Sequence, residues 1–227
     1  DYARIFKEQL ERCGVEYFDF YLLHAMDKES FDETEAKGGY PFVQKMKEEG
    51  KIRHIGFSFH DTAEVLDEIL TKHPEMEFVQ LQINYYDWES ESVQSRKCYE
   101  VAVKHKKPVI VMEPVKGGTL ANLAPEAAGF LDEMNSKASY ASYPIRYAAS
   151  LENVFMVLSG MSNMEQLQDN TSYMKEFEPL TESEQEGIQK VVEALSKLPT
   201  IPCTECRYCV DGCPKKINIP GLFQAYN

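Results

Sequence analysis

Five short apolar runs, each joined to the next through a stretch whose apolar residues recur at helical spacing, limit what this chain can fold into more than any other feature. They are YFDFYLL from Tyr17, IRHIGFSFH from Ile52, FVQLQINYY from Phe78, PVIVMEP from Pro108 and VFMVLSGM from Val154. Strands that alternate with helices pair in parallel through right-handed crossovers. Such a sheet closes as a barrel or stays open, and periodicity does not choose between the two. No G-x-G-x-x-G follows the first run to favour the open form.

The first run is apolar or aromatic at almost every position from Tyr17 to Leu23, as expected of a parallel strand covered on both faces, and it stops on His24. Ligands and catalytic groups of parallel α/β folds gather at the carboxyl ends of strands. His24 is therefore a candidate catalytic residue, or else a histidine that caps a core strand and bonds a neighbouring loop. Helix signals fill the intervals. Ala3, Ile5, Phe6 and Leu10 predict a helix from Asp1 to the stop at Gly14, covering a strand that lies outside this sequence. Phe42, Val43 and Met46 mark a second helix, and Asp61 with Glu64 has the spacing of a capping box before Val65, Leu66, Ile69 and Leu70. A helix surrounds Cys98, and YASYPIRYAASLEN forms another before the fifth strand. Ser162 with Glu165 and Thr181 with Glu184 predict two further capping boxes, the second opening an amphipathic helix through Ile188, Val191, Val192 and Leu195. The prolines of LPTIP break that helix, so the chain divides into a barrel-like region at 1–180, a connecting helix at 181–198 and a cysteine-rich segment at 199–227.

Charge narrows the partners. A net charge of -13, from 24 basic and 37 acidic residues, argues against nucleic acid, because affinity for phosphate backbones rests on Lys and Arg. No window has the roughly 18 apolar residues of a membrane span, and no basic, apolar leader is seen, so no membrane partner and a cytoplasmic location are expected. Of the cysteines, Cys13 and Cys98 stand apart and read as small buried hydrophobes, whereas Cys203, Cys206, Cys209 and Cys213 crowd into one segment. With Pro214 they form the C-x2-C-x2-C-x3-C-P run of bacterial ferredoxins, in which thiolates return at the spacing that wrapping a small cluster requires. Structural zinc, which more often pairs two C-x2-C knuckles across a longer gap, is the alternative. The reducing compartment implied by such clustered thiols agrees with a cytoplasmic protein.

Taken together, GVEYFDFYLLH, KIRHIGFSFH, FVQLQINYY, PVIVMEPVKGG and VLSGMSNMEQLQDN resemble, in order, the aldo-keto reductases, specifically a bacterial branch with a C-terminal ferredoxin-like segment. The resemblance implies an α/β fold of the (β/α)8 TIM-barrel type, with about five of the eight strand-helix units present, plus a small helical iron-sulfur segment. It implies an oxidoreductase that reduces a small carbonyl substrate by hydride transfer from NAD(P)H. The family's catalytic tetrad is Asp, Tyr, Lys and His, of which His24 matches the histidine that orients the carbonyl; the other three lie on strands to which no part of this sequence corresponds.

Cofactor positions carry over one by one. Ser58 matches a residue that bonds the nicotinamide amide, with Phe59 where the family usually has Asn, and Gln80 matches a second such residue. Met112 stands where a tyrosine usually stacks on the nicotinamide. Lys116, Gly117 and Gly118 match the loop that passes the pyrophosphate. Gly160, Met161 and Ser162 open a helix whose free amides suit a phosphate, and Gln166 and Asn170 match contacts to adenine. Members that prefer NADPH usually place Arg or Lys after that glycine, where this chain has Asn163 and Met164. Read without the resemblance, Ser162 is a helix cap, Gly117 and Gly118 a turn, Lys116 a solvated charge, and Met112, Met156 and Met161 core filling. Tyr85, Tyr86 and Trp88 either line a substrate pocket or pack a loop. The four clustered cysteines imply a 4Fe-4S cluster, structural or able to pass electrons to a redox partner protein. The contrasting expectation is a non-catalytic iron-sulfur carrier or scaffold on a barrel fold.

Overall fold

A computed structural model describes residues 1–135, 138–198, 201, 203 and 207–226, Gln224 by its backbone only. Cys206, an expected metal ligand, lies outside them. The chain forms two compact units, Asp1–Met112 with Leu151–Leu158, and Glu113–Ser150 with Ser159–Asn227.

The first unit holds the sheet. Its elements are α1 (Tyr2–Cys13), β1 (Phe18–Met26), α2 (Lys28–Lys37), α3 (Gly39–Glu48), β2 (Ile52–Phe59), α4 (Ala63–Lys72), β3 (Phe78–Gln82), α5 (Ser95–Lys104), β4 (Val109–Met112) and β5 (Val154–Val157). The strands pair in sequence order, all parallel. Four steps of roughly 4.8 Å would place β1 about 19 Å from β5 in a flat sheet. Instead the ring of Phe20 on β1 lies 5.7 Å from that of Phe155 on β5, and both meet Phe78 of β3. Curvature of that degree belongs to a barrel wall and decides against the open sheet. Behind the sheet, Ile55, Phe57, Val79, Leu81, Val109 and Val111 bury themselves with Leu66, Ile69 and Leu70 of α4. Phe6 of α1 meets Phe18, Tyr21 and Phe42 edge-on.

Several expectations needed correction. β1 does not stop at His24 but continues to Met26, with Asp19, Phe20 and His24 exposed along it. Helix α2 has a cap, Asp27, whose side chain accepts from the Ser30 amide, but it buries only Phe31 and Thr34, too few for its period to be read. Asp61 caps nothing in the expected way: α4 begins after Thr62, and the Asp61 carboxylate accepts from the amides of Thr62 and Lys28. Cys13 is exposed, unlike Cys98.

The second unit holds a 3-10 turn at Lys116–Ala121, then α6 (Pro125–Asn135), α7 (Ser142–Ala149), α8 (Met164–Lys175), α9 (Glu182–Ser196), α10 (Tyr208–Asp211) and α11 (Ile219–Tyr226). Helix α6, opened by Pro125 at its first position where a missing amide costs nothing, was not expected. It packs on α9, burying Ala127, Ala128 and Leu131 with Ile188, Val191 and Leu195. The capping box of Thr181 and Glu184 is present in both halves. That of Ser162 and Glu165 is not; α8 starts one residue later, capped by Asn163. Among the described residues no helix is long and apolar enough to cross a membrane.

Candidate functional site

At the carboxyl end of β1 the ladder carries one extra residue. Leu23 pairs with Phe57 and Met26 with Phe59, so His24 and Ala25 together face Ser58. Ala25 takes φ 54, a left-handed conformation rare for residues other than glycine. The amide that this bulge takes out of the ladder is not lost: Ala25 N–H donates to Ser58 Oγ at 2.7 Å. Ser58 is 1% exposed, while His24 stands in solvent beside a pocket of about 220 Å³ lined also by Tyr2, Ser30 and Lys37. His60, whose amide donates to the Met26 carbonyl, is held below the ordinary histidine range by partial burial and then by His24, against the pull of Asp27.

Ser58 is the register partner of Gln80 on β3, so the two side chains leave the sheet on one face, side by side. Among the described residues Gln80 Nε2 meets only the Met112 sulfur, at 3.4 Å. Among the described residues the Ser58 hydroxyl proton and the Gln80 amide oxygen have no hydrogen-bond partner. A buried hydroxyl with an unspent proton is rare, and a carboxamide, one acceptor and one donor, fits this pair. Sequence reasoning missed the network just beyond β3. There Asn84 Nδ2 donates to Asp87 at 2.9 Å, the Asp87 amide donates to Asn84 Oδ1 at 2.8 Å, and Gln82 Nε2 reaches the same carboxylate at 3.3 Å. The spacing of Asn84 and Asp87 was the available signal, an Asx turn. A second pocket of about 130 Å³, between the ends of β2 and β3, is lined by His60, Gln82, Ser95 and Cys98 among others, and burial pushes the Cys98 thiol up to about 12.

The candidates in the helical unit are built differently. Gly117 and Gly118 take φ 60 and 96, and the Gly117 amide donates to the Glu113 carboxylate at 3.0 Å. Lys116 is no solvated charge; it is 7% exposed. At the start of α8 the Asn163 side chain accepts from the Gln166 amide at 2.9 Å, and Gln166 Oε1 accepts from the Ser162 amide at 2.7 Å. Asn170 is likewise committed, to the Ser159 hydroxyl and to Tyr173. A phosphate at Gly160 and Ser162 therefore has to displace Gln166. Met156 and Met161, expected in the core, are 39% and 40% exposed.

Of the cysteine run, Cys203 and Cys213 are half-buried and Cys209 is exposed. The amides of Ile217, Lys215 and Lys216 face the Cys213 sulfur and hold its thiol below the ordinary range, which favours the thiolate that ligates metals. The donor chemistry suits an iron-sulfur cluster. Among the described residues, however, no three His, Cys, Asp or Glu side chains converge on one point.

The model of the aldo/keto reductase family matches residues 1–193. No curated protein matches the chain. Among solved structures, an aldo-keto reductase from Bacillus halodurans is 24% identical, with a TM-score of 0.64 over 83% of this chain and 67% of its own. A Klebsiella pneumoniae aldo/keto reductase in complex with NADP and acetate is 19% identical, with a TM-score of 0.66 over 84% and 64%. The glycerol dehydrogenase of Gluconobacter oxydans is 17% identical, with a TM-score of 0.69 over 88% and 66%. At these identities they establish a common fold, and the chain spans about two thirds of the length of each.

Proposed function

The chain belongs to the aldo/keto reductase family, and on that premise we propose that it serves an NAD(P)H-dependent oxidoreductase acting on a small carbonyl compound. The observation that carries this reading is the arrangement at the end of β1: an exposed His24 on a bulge, beside a buried hydroxyl whose proton, and an amide whose oxygen, have no hydrogen-bond partner among the described residues. When bound, NAD(P)H supplies the hydride. His24 would orient and polarise the substrate carbonyl, and Ser58 through its O–H and Gln80 through its amide oxygen would hold the carboxamide of the cofactor. Met112 covers one side of that site. In the helical unit Lys116, Gly117, Gly160 and Ser162 serve phosphate, and Gln166 and Asn170 serve the adenosine end, each by position in the family pattern. The first turn of α8 bears Glu165 and no basic residue, which favours neither dinucleotide through charge attraction.

The cysteine segment is proposed to hold a 4Fe-4S cluster on Cys203, Cys206, Cys209 and Cys213, in a structural role or as a docking point for a redox partner. The amides around Cys213 support it. Two experiments test the reading. Titration of the protein into NADPH and NADH, followed by nicotinamide fluorescence, is expected to show saturable binding of at least one; binding of neither rejects the oxidoreductase assignment and leaves the carrier or scaffold alternative. Iron and sulfide analysis of anaerobically purified protein is expected to find both, and zinc in their place rejects the cluster.

A further inference from the structure

We propose that Ser58 is a positioning residue for His24 as well as a cofactor contact. The bulge of β1 is what presents His24: it inserts His24 and Ala25 opposite a single residue of β2, and it is closed by Ala25 at φ 54. A backbone amide withdrawn from its ladder needs another acceptor, and the one in place is the Ser58 oxygen, 2.7 Å away and 1% exposed. Just past the end of β2, the His60 amide donates to the Met26 carbonyl at 2.9 Å, on the C-terminal side of the bulge. Both bonds fall just after His24 in the chain, at the Ala25 amide and the Met26 carbonyl, and the first of them is made by a side chain.

The hydroxyl accepts with its oxygen and keeps its proton for an outward donation. Because donating through O–H strengthens the oxygen as an acceptor, occupation of the outward side tightens the bulge. Cofactor contact and histidine placement then run through one atom. This coupling rests on the assignment of His24 and Ser58 made above, whereas the positioning part stands in the free protein.

Amide hydrogen exchange and imidazole resonances, recorded by NMR on the free chain, separate the two parts. In Ser58→Ala the Ala25 amide is expected to exchange at least tenfold faster than in the parent, and the His24 ring signals to move. Ser58→Thr, which keeps the hydroxyl, restores both. Should Ser58→Ala not fold, Ser58→Cys fills the same space with a weaker acceptor and carries the same exchange test. Unchanged Ala25 and His24 signals in either variant, alongside weaker NADPH or NADH binding, reduce Ser58 to a cofactor contact and overturn the proposal. Failure of the parent chain to bind either dinucleotide overturns the functional assignment instead, with the exchange result still read. In the parent, saturating dinucleotide is expected to slow Ala25 exchange further; no change removes the coupling.

Discussion

The carboxyl end of β1 and the amino end of α8 both offer candidate ligand groups, and they are built in opposite ways. At β1 the backbone is held in a rare conformation while two polar side chains keep unspent capacity. At α8 the backbone is ordinary, and two of its donors, the amides of Ser162 and Gln166, are already taken by side chains of the same turn. The first arrangement is organised in advance of a ligand, whereas the second must be opened by one. Preorganised groups lose less on binding, so specificity in this molecule is expected to reside at the sheet and adaptability at the helix.

The contrast extends to what surrounds each region, and substitutions can break it. The largest effect is expected at Gly56, where a Cβ would stand 2.5 Å from the Phe78 carbonyl oxygen and 2.7 Å from its ring. Backbone cannot yield as a side chain can, so Gly56→Ala should cost about 3 kcal/mol, measured by urea unfolding. A loss near zero would mean that the strand spacing behind the site is soft. In the helical unit the comparable anchor is Arg146, bound to both Glu184 oxygens at 2.7 and 3.1 Å and to the carbonyls of Glu178 and Pro179. With the two side chains only 13% and 18% exposed, Arg146→Ala should cost about 3 kcal/mol by leaving a carboxylate unpaired.

That pair also has a pH signature. Burial raises the Glu184 carboxyl, but Arg146 and the Thr181 amide outweigh it and hold the group below its ordinary range. A depressed folded value gives stability that is present above the unfolded value of about 4.3 and lost as pH falls through the lower folded one. Unfolding followed from pH 6 down to about 2 should show this loss in the parent and a flatter profile in Arg146→Ala.

Smaller changes sharpen the contrast at the two sites themselves. Ser58→Ala should cost about 1–2 kcal/mol, the penalty of an unsatisfied, partly buried amide at Ala25. Asn163→Ala should cost about 1 kcal/mol, a lost helix cap. If the second exceeds the first, α8 is the more rigid site and the assignment of adaptability reverses. Smallest of all is Gly187→Ala. Its Cβ would run into Cε and Sδ of Met134, but a flexible thioether can swing aside, so calorimetry should find a change under about 1 kcal/mol.

Much of this could be read from residue types alone, for reasons that are local. Apolar runs bounded by turn residues located all five strands, and Gly14 and Thr181 with Glu184 marked helix ends because a left-handed stop and a reciprocal cap need particular side chains. Helix α2 escaped because its buried face is two residues wide. The cap of α8 was displaced by one because Ser162 and Asn163 are both competent caps, and only the direction of the incoming chain selects between them.

The candidate site divides along the same line. Apolar pattern put His24 at the end of its run and Ser58, Gln80 and Met112 within theirs, and the family resemblance alone implied that these three serve a nicotinamide. Only the tertiary structure decided that Ser58 and Gln80 are register partners, that Lys116 is buried, and that β1 passes beyond His24 through a bulge. A register and a bulge are properties of two strands at once: whether Ala25 can hold a left-handed turn depends on an oxygen 33 residues away in sequence, which no local pattern encodes.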